Sequence, residues 1–413
     1  MTTAIDRSHL SAADIDIYSL DKYEKTGVPH EELSWLRQNA PVFFHPEPDG
    51  RGFWAVTKHE DIRRISSDPE TFSSAVGGTN IRDYPAEDLA NIQMMIVNID
   101  PPRHAEFRKL IRSRFTPKMV GRLQKTIEDR AKRIVDQIAK KGECEFVTSV
   151  AAELPLQVIA DLVGIPEEDQ PRIFDWTNKL LGFDDPEFSD LTMEETRAAA
   201  AEVWAYADGL ADTREGSDGE DLVSVLLRSE IEGRRLTRME FDAFFLMLSL
   251  AGNETTRTAI SQSLLTLIEH PDARRRLTDD LSLMPSAVEE ILRWVAPVMH
   301  FRRTATRDVE IRGQQIKEGE KVVVFYHGGN RDENVFDNPD RFDICRSPND
   351  HLSFGHGEHY CLGAHLARLE VTVMLKELLS RLPDIELVRP VRRLRSNFIN
   401  GIKEMHIRFT PES

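Results

Sequence analysis

Long apolar runs are the first thing this 413-residue chain lacks. The longest near-continuous one, Phe244 to Ala251, falls far short of the about 20 residues that span a bilayer. The N-terminal stretch is polar and acidic, without the apolar centre of a signal peptide. Both absences predict a cytoplasmic protein with no membrane anchor. Cysteine is scarce too. Cys144, Cys345 and Cys361 are too few and too scattered for a disulfide framework, and no C-x-x-C pair suggests structural zinc. Positive charge is in deficit: 53 Lys+Arg against 70 Asp+Glu leave a formal charge of −17. Such an excess excludes a nucleic-acid partner held by counterion release, and a general attraction to anionic lipid. Repeats, low-complexity tracts and Pro/Gly/Ser-rich linkers are missing as well, so residues 1–413 read as one domain, β-rich over about 38–65 and helical in the remainder.

What is present has mostly helical period. Leu123, Ile127, Ile134, Val135 and Ile138 share one face of a charged segment, and Leu154 to Val163 is apolar nearly all round, a buried helix that Gly164 and Pro166 should end. Strand signals are few. Pro41-Val42-Phe43-Phe44, a turn through Pro46 to Gly52, and Phe53-Trp54-Ala55-Val56 read as a hairpin. Val309-Glu310-Ile311, a Gly313 turn and Lys321 to Phe325 predict another, and Met405 to Phe409 a final strand. The expected class is mainly α with small β-sheets (α+β).

One helix stands apart. Thr237 and Glu240 have capping-box spacing, and helical pattern then persists to His270-Pro271, about 50 Å of helix at 1.5 Å per residue. Its middle is Ala251-Gly252-Asn253-Glu254-Thr255-Thr256. Glycine weakens a helix interior, and threonine can bond the carbonyl one turn back and bend the axis. An acid, a hydroxyl and a missing side chain therefore stand where an apolar turn would be more stable.

The strongest chemical signal is Phe354-Gly355-His356-Gly357-Glu358-His359-Tyr360-Cys361-Leu362-Gly363, running into the helical stretch Ala364 to Glu370. A cysteine at a helix start meets unpaired backbone N–H groups and the positive end of the dipole, which favour thiolate and hence metal ligation. Glycines allow backbone to approach a flat, bulky group, and Phe354 can shield the sulfur from water.

This segment resembles the F-x-x-G-x-H-x-C-x-G haem-binding signature of the cytochromes P-450, the haem-thiolate monooxygenases. Glu290-Ile291-Leu292-Arg293 resembles the family's E-x-x-R, Asn338-Pro339-Asp340-Arg341-Phe342 the segment that completes its charge network, Ala251 to Thr255 its oxygen-activating stretch, and Pro102 to Arg108 the helix that reaches the haem propionates. The likeness covers nearly the whole chain. Glu254 stands where many members have Asp, and His327-Gly328-Gly329 is unusual and carries no assigned role. The resemblance implies haem b held between the long central helix and the helix after the cysteine loop, with Cys361 as iron ligand and Phe354, Gly355 and Gly363 shaping its loop. His104, Arg108, Arg303 and His359 become the expected propionate partners, since a buried carboxylate needs cationic donors. Glu290, Arg293 and Arg341 become a structural charge network. Thr255 and Glu254 become the alcohol and acid that manage protons, with Ala251 leaving room beside them.

Within the family the chain resembles the bacterial branch that hydroxylates sterol side chains and methyl-branched or isoprenoid lipids, on residues that include Gly182 to Pro186 and Asn400-Gly401-Ile402-Lys403. The implied function is insertion of one oxygen atom of O2 into a C–H bond of an apolar lipid-like substrate, with electrons from NAD(P)H through ferredoxin reductase and ferredoxin. A peroxide-dependent peroxygenase or a non-catalytic haem-binding protein is the alternative. Expected pocket walls are Ile92, Met94, Met95, Val97, Phe244, Met247, Leu248, Val298, Met299, Phe398 and Ile399. The protein is expected to be a monomer. For an acidic ferredoxin to dock on so acidic a chain, a local basic face is needed, and Arg103, Lys109, Arg112, Arg114 and Lys118, opposed only by Glu106, supply one.

Overall fold

The computed structural model describes residues 10–181, 185–187, 193–231 and 233–413. Gly182, Phe183 and Asp184, named above among the residues of lipid-hydroxylase resemblance, lie outside them.

The largest sheet draws on both ends of the chain. Val42–His45 pairs antiparallel with Phe53–Val56, as the sequence predicts. Phe53–Val56 then runs parallel to Lys321–Phe325, which is antiparallel to His300–Ala305, with Phe72–Ser73 on the outer edge. Lys321–Phe325 is thus not the partner of Val309–Ile311. That strand instead turns at Gly313, whose φ of +80° suits glycine, and closes on Gln314–Ile316. A tight hairpin satisfies the short strand locally and frees the all-apolar Val322-Val323-Val324 for the sheet interior, where all three are fully buried. The predicted last strand, His406–Arg408, lies between Glu386–Leu387 and Glu143–Glu145.

Helices make up most of the remainder. Arg238–Glu269 is the central helix, and both halves of its predicted capping box form: Glu240 N–H donates to Thr237 Oγ1 at 3.3 Å, and Thr237 N–H to Glu240 Oε2 at 2.8 Å. Gly252 has a packing reason. A Cβ there would stand 2.8 Å from Ile159 Cδ1, so the buried helix Glu153–Val163 crosses at the one place without a side chain. Gly164 ends that crossing helix with a φ of +96°, as the sequence predicts. Pro117–Ile138 buries Ile127, Ile134, Val135 and Ile138. It packs on Ala364–Arg381, the helix that follows the cysteine loop, which in turn packs on the central helix. Gly328 and Gly329 also carry contacts. A Cβ on the first would meet Thr57 at 3.0 Å, and on the second Ile62 and Leu352 at 2.9 Å, which lets His59–Ser66 approach closely.

Candidate active site

Cys361 sits where a bulged loop becomes the helix Ala364–Arg381. Gly355 and Gly357 hold φ of +73° and +72°, and a Cβ on Gly357 would stand 2.2 Å from the Ser66 carbonyl oxygen. The loop is pinned by Cys361 N–H donating to the Phe354 carbonyl at 2.8 Å and by Arg108 donating to the Tyr360 carbonyl at 2.6 Å. Phe354 itself lies under the Arg368 guanidinium, 4.4 Å from its ring centre. The accessible surface of Cys361 faces a cavity inside the fold. Burial pushes its thiol above the ordinary range, while the Gly363 N–H, Arg108 and Arg368 pull the other way.

That cavity encloses about 770 Å³ and runs from Cys361 to Tyr18, Tyr84 and Arg197. Of the residues expected in its walls, Ile92, Met95, Val97, Met247, Leu248, Val298, Phe398 and Ile399 line it, together with Ala251, Thr255, His104, Arg108, Phe354, Gly355, His359 and Gly363. Phe244 does not. It shares the helix face of Ala251 but lies two turns earlier, stacked on Phe107 at 5.3 Å in the core. Met299 is also core: its backbone is engaged by Phe398 and Tyr326, and its side chain is buried outside the lining. Met94 stays outside as well, in the turn that follows the helix Ala86–Ile92. Thr255 Oγ donates to the Ala251 carbonyl at 2.7 Å, the back-bond that threonine makes in a helix.

Glu254 points elsewhere. It is buried, pairs with Arg257 one turn on, and lines a separate cavity of about 140 Å³ with Lys403 and Thr148. Its place on the helix next to Thr255 turns it by about 100°, away from the large cavity.

At the loop end of the large cavity, basic side chains gather, with Asp100 and Glu358 acting on them only from beyond ion-pair distance. Arg303 is buried behind the lining and donates to its neighbour's carbonyl at 2.9 Å; neither it nor Arg108 forms an ion pair among the described residues. The rings of His104 and His359 are 4.2 Å apart. Burial first, then the adjoining arginines, push His104 down to about 4 and His359 down to about 2, and His104 Nδ1 has no partner. Tyr326, which sequence reasoning did not single out, lines the same end, and burial raises its hydroxyl to about 12. Two arginines without an ion-pair partner among the described residues, and two histidines beside them, stand near a solitary sulfur; the carboxylates of a haem would complete them, so the residues present fit thiolate-bound haem.

Glu290 and Arg293 show the opposite economy. Both are fully buried and joined through two contacts of 2.7 and 2.8 Å. The third charged member is Arg346, whose Nε reaches Glu290 at 3.0 Å, and not Arg341. Asn338, at a φ of +47°, turns the chain so that the Arg341 carbonyl faces Arg293 and Arg346 while its side chain points to solvent, 3.7 Å from Asp343. Arg103 of the predicted basic face is taken by Glu240 at 3.2 Å, leaving Lys109, Arg112 and Lys118 exposed and Arg114 half-buried.

A family model described as Cytochrome P450 matches residues 17–383. A steroid C26-monooxygenase of Rhodococcus jostii is 39% identical over 396 residues, 94% of this chain and 83% of that one. A methyl-branched lipid omega-hydroxylase of Mycobacterium bovis is 41% identical over 407 residues, 96% of this chain and 94% of that one. Among solved structures, a Mycobacterium marinum cytochrome P450 in complex with pseudoionone superposes with a TM-score of 0.90 at 39% identity, covering 97% of this chain and all of that one.

Proposed function

The chain belongs to the cytochrome P450 family, and from that premise we propose that it hydroxylates a lipid-like substrate, a sterol side chain or a methyl-branched or isoprenoid lipid, at a carbon held over Cys361. It is an oxidoreductase, a monooxygenase with Cys-thiolate-ligated haem b. When bound, that group supplies oxygen activation, helped by electron donation from the thiolate. The observation that carries the substrate class is the lining of the large cavity away from Cys361. Near the central helix it is walled by Met247, Leu248, Ala251, Val298, Phe398 and Ile399, with no cation there to hold a charged group.

In this reading Cys361 holds the iron, while Arg108, Arg303, His104 and His359 hold the propionates. Ala251 leaves space for substrate, and Thr255 presents a hydroxyl to the reacting end of the pocket. Electrons come from NAD(P)H through ferredoxin reductase and a ferredoxin docked on Lys109 and Arg112, in the cytoplasm. Reversing both residues to Glu slows ferredoxin-driven reduction and flattens its salt dependence, without changing substrate affinity.

The deciding experiment joins a spectrum to a substrate screen. Reduced protein with carbon monoxide shows the red-shifted Soret band of a thiolate ligand, and a panel of steroids, branched fatty acids and terpenoids is scored by spin-state shift and by product. Cys361→His folds but loses both band and hydroxylation. Hydroxylation by that variant, or a panel in which only polar compounds shift the spin state, overturns the reading.

A further inference from the structure

Where the large cavity meets solvent, its lining turns polar. Asn80, Tyr84, Glu87, Asp88, Asn91 and Arg197 form that rim, and Glu87 and Arg197 are exposed. Arg197, on the helix Met193–Arg214, reaches across to the helix Ala86–Ile92 and is taken there by two carboxylates at once. Its Nε and Nη2 donate to Asp88 at 3.1 and 3.0 Å, and Nη2 also donates to Glu87 at 2.6 Å. The Asp88 side chain is 15% exposed, that of Glu87 70%. Arg82, a second cation of the rim, lies over the Tyr84 ring, 4.9 Å from its centre.

That pairing decides what the rim can hold. A lone arginine at the mouth of an apolar cleft would seat a carboxylate through two parallel hydrogen bonds. Here the two-pronged partner is the protein's own Asp88, and Glu87 adds a second negative charge. The rim's two arginines, Arg82 and Arg197, are matched by its two acids. A carboxylated substrate would bring its anion beside two others, and the half-buried Asp88 is the less screened of them. A neutral oxygen meets no such opposition, and the rim offers it partners. Asn80 Nδ2 donates to the Tyr84 hydroxyl oxygen at 2.9 Å, which leaves the phenol's own proton for another acceptor; Tyr84 makes no other hydrogen bond among the described residues. Asn91, exposed on the same rim, carries both a donor and an acceptor.

We propose that this rim selects substrates by charge: it accepts lipids whose polar group is a neutral oxygen, a hydroxyl or a ketone, and turns away free carboxylates. Glu87 and Asp88 do this by occupying Arg197 and by repelling a third anion. Tyr84 donates to the neutral oxygen. The inference rests on the lipid-hydroxylase reading and narrows it, from sterol, branched and isoprenoid lipids at large to those that enter uncharged. It also gives the two helices of the rim different tasks, one supplying the cation and the other the acids that cancel it.

The test uses the haem-loaded, full-length protein and one methyl-branched chain in two forms, the acid and the primary alcohol. Both are kept below their aggregation concentrations at about pH 8, where the acid is ionised. Calorimetry reads affinity whether or not the spin state moves. Wild type is expected to bind the alcohol at least about tenfold more tightly than the acid, with the gap narrowing as salt is raised. Glu87→Gln combined with Asp88→Asn frees Arg197 and removes both acids, so the acid should gain about tenfold and the alcohol should change by less than about twofold. Tyr84→Phe should weaken the alcohol about threefold to tenfold, the worth of one hydrogen bond, and the acid less. Equal or tighter binding of the acid by wild type overturns the proposal, as does an acid-to-alcohol ratio that the double substitution leaves unmoved, or a Tyr84→Phe loss that both ligands share equally. Should the double variant fail to load haem, the wild-type ratio and its salt dependence decide: a gap that salt does not narrow overturns the proposal. Failure of the hydroxylase reading shows elsewhere, as a wild type without the thiolate carbon monoxide band or without hydroxylated product from either ligand, whatever the binding ratio.

Discussion

Two of the charge clusters among the described residues differ in a way that separates structure from function. Around Glu290 the charges close on one another. Its carboxylate receives Arg293, Arg346, Asn349 and the Asp343 N–H, and the remaining Arg293 donors go to the carbonyls of Asn330, Pro339 and Arg341. Around the loop end of the large cavity, Arg108, Arg303, His104 and His359 gather with carbonyls and a hydroxyl for hydrogen-bond partners and no carboxylate at ion-pair distance among the described residues. Arg303 and His104 are buried as the Glu290 cluster is, Arg108 and His359 are half-buried, and the larger difference is in satisfaction. A closed network costs desolvation and recovers it internally. An open one recovers its desolvation cost only when an anion binds, and in the proposed reading that anion is the pair of haem propionates.

The largest effect should come from breaking the closed cluster. Glu290→Ala leaves Arg293 and Arg346 buried without a counter-charge, and removing one partner of a buried pair costs about 3–5 kcal/mol, a large part of the about 5–15 kcal/mol that holds a domain folded. Urea unfolding and soluble yield measure it. A loss below about 1 kcal/mol, the value of an exposed pair, would mean that the network is ornamental.

The open cluster predicts a change of sign. Arg303→Leu removes a buried cation that has no ion-pair partner among the described residues and only Asp100 opposing it from beyond ion-pair distance, so the haem-free chain should unfold at higher urea. Loaded protein should lose haem to an acceptor apoprotein roughly tenfold to a hundredfold faster, the equivalent of about 1.5–3 kcal/mol for a charge-assisted hydrogen bond. Equal shifts of the same sign in both forms would make Arg303 another structural residue and erase the contrast.

Legibility in the sequence followed the range of the interactions. The central helix could be bounded because its cap is local: Thr237 and Glu240 satisfy each other three residues apart. Cys361 and its loop were legible because the glycines and the cysteine are contiguous. Sheet partnership was not, since Lys321–Phe325 meets His300–Ala305 and Phe53–Val56 only through tertiary packing, and the nearer Val309–Ile311 is the wrong partner. Helix phase placed Phe244 on the cavity face, but phase carries no axial limit, and two turns carried it past the end of the cavity into Phe107.

The smallest effects make the sharpest test, because they concern two arginines five positions apart in one loop. Motif position alone favours Arg341 as the third charged partner, and geometry favours Arg346. The Arg346 side chain is 8% exposed and gives its donors to Glu290 and to the carbonyls of Asp337, Asn338 and Arg341, whereas that of Arg341 is 64% exposed. Arg346→Ala should therefore cost about 2–3 kcal/mol, short of Glu290→Ala because Arg293 still neutralises the acid. Arg341→Ala should stay within about 0.5 kcal/mol of wild type, since its backbone carbonyl, the part that the network uses, survives the change. Matched urea curves separate the two. If Arg341→Ala is the more damaging, the loop holds its side chain inward in solution, and the closed cluster has a different third member from the one these contacts assign.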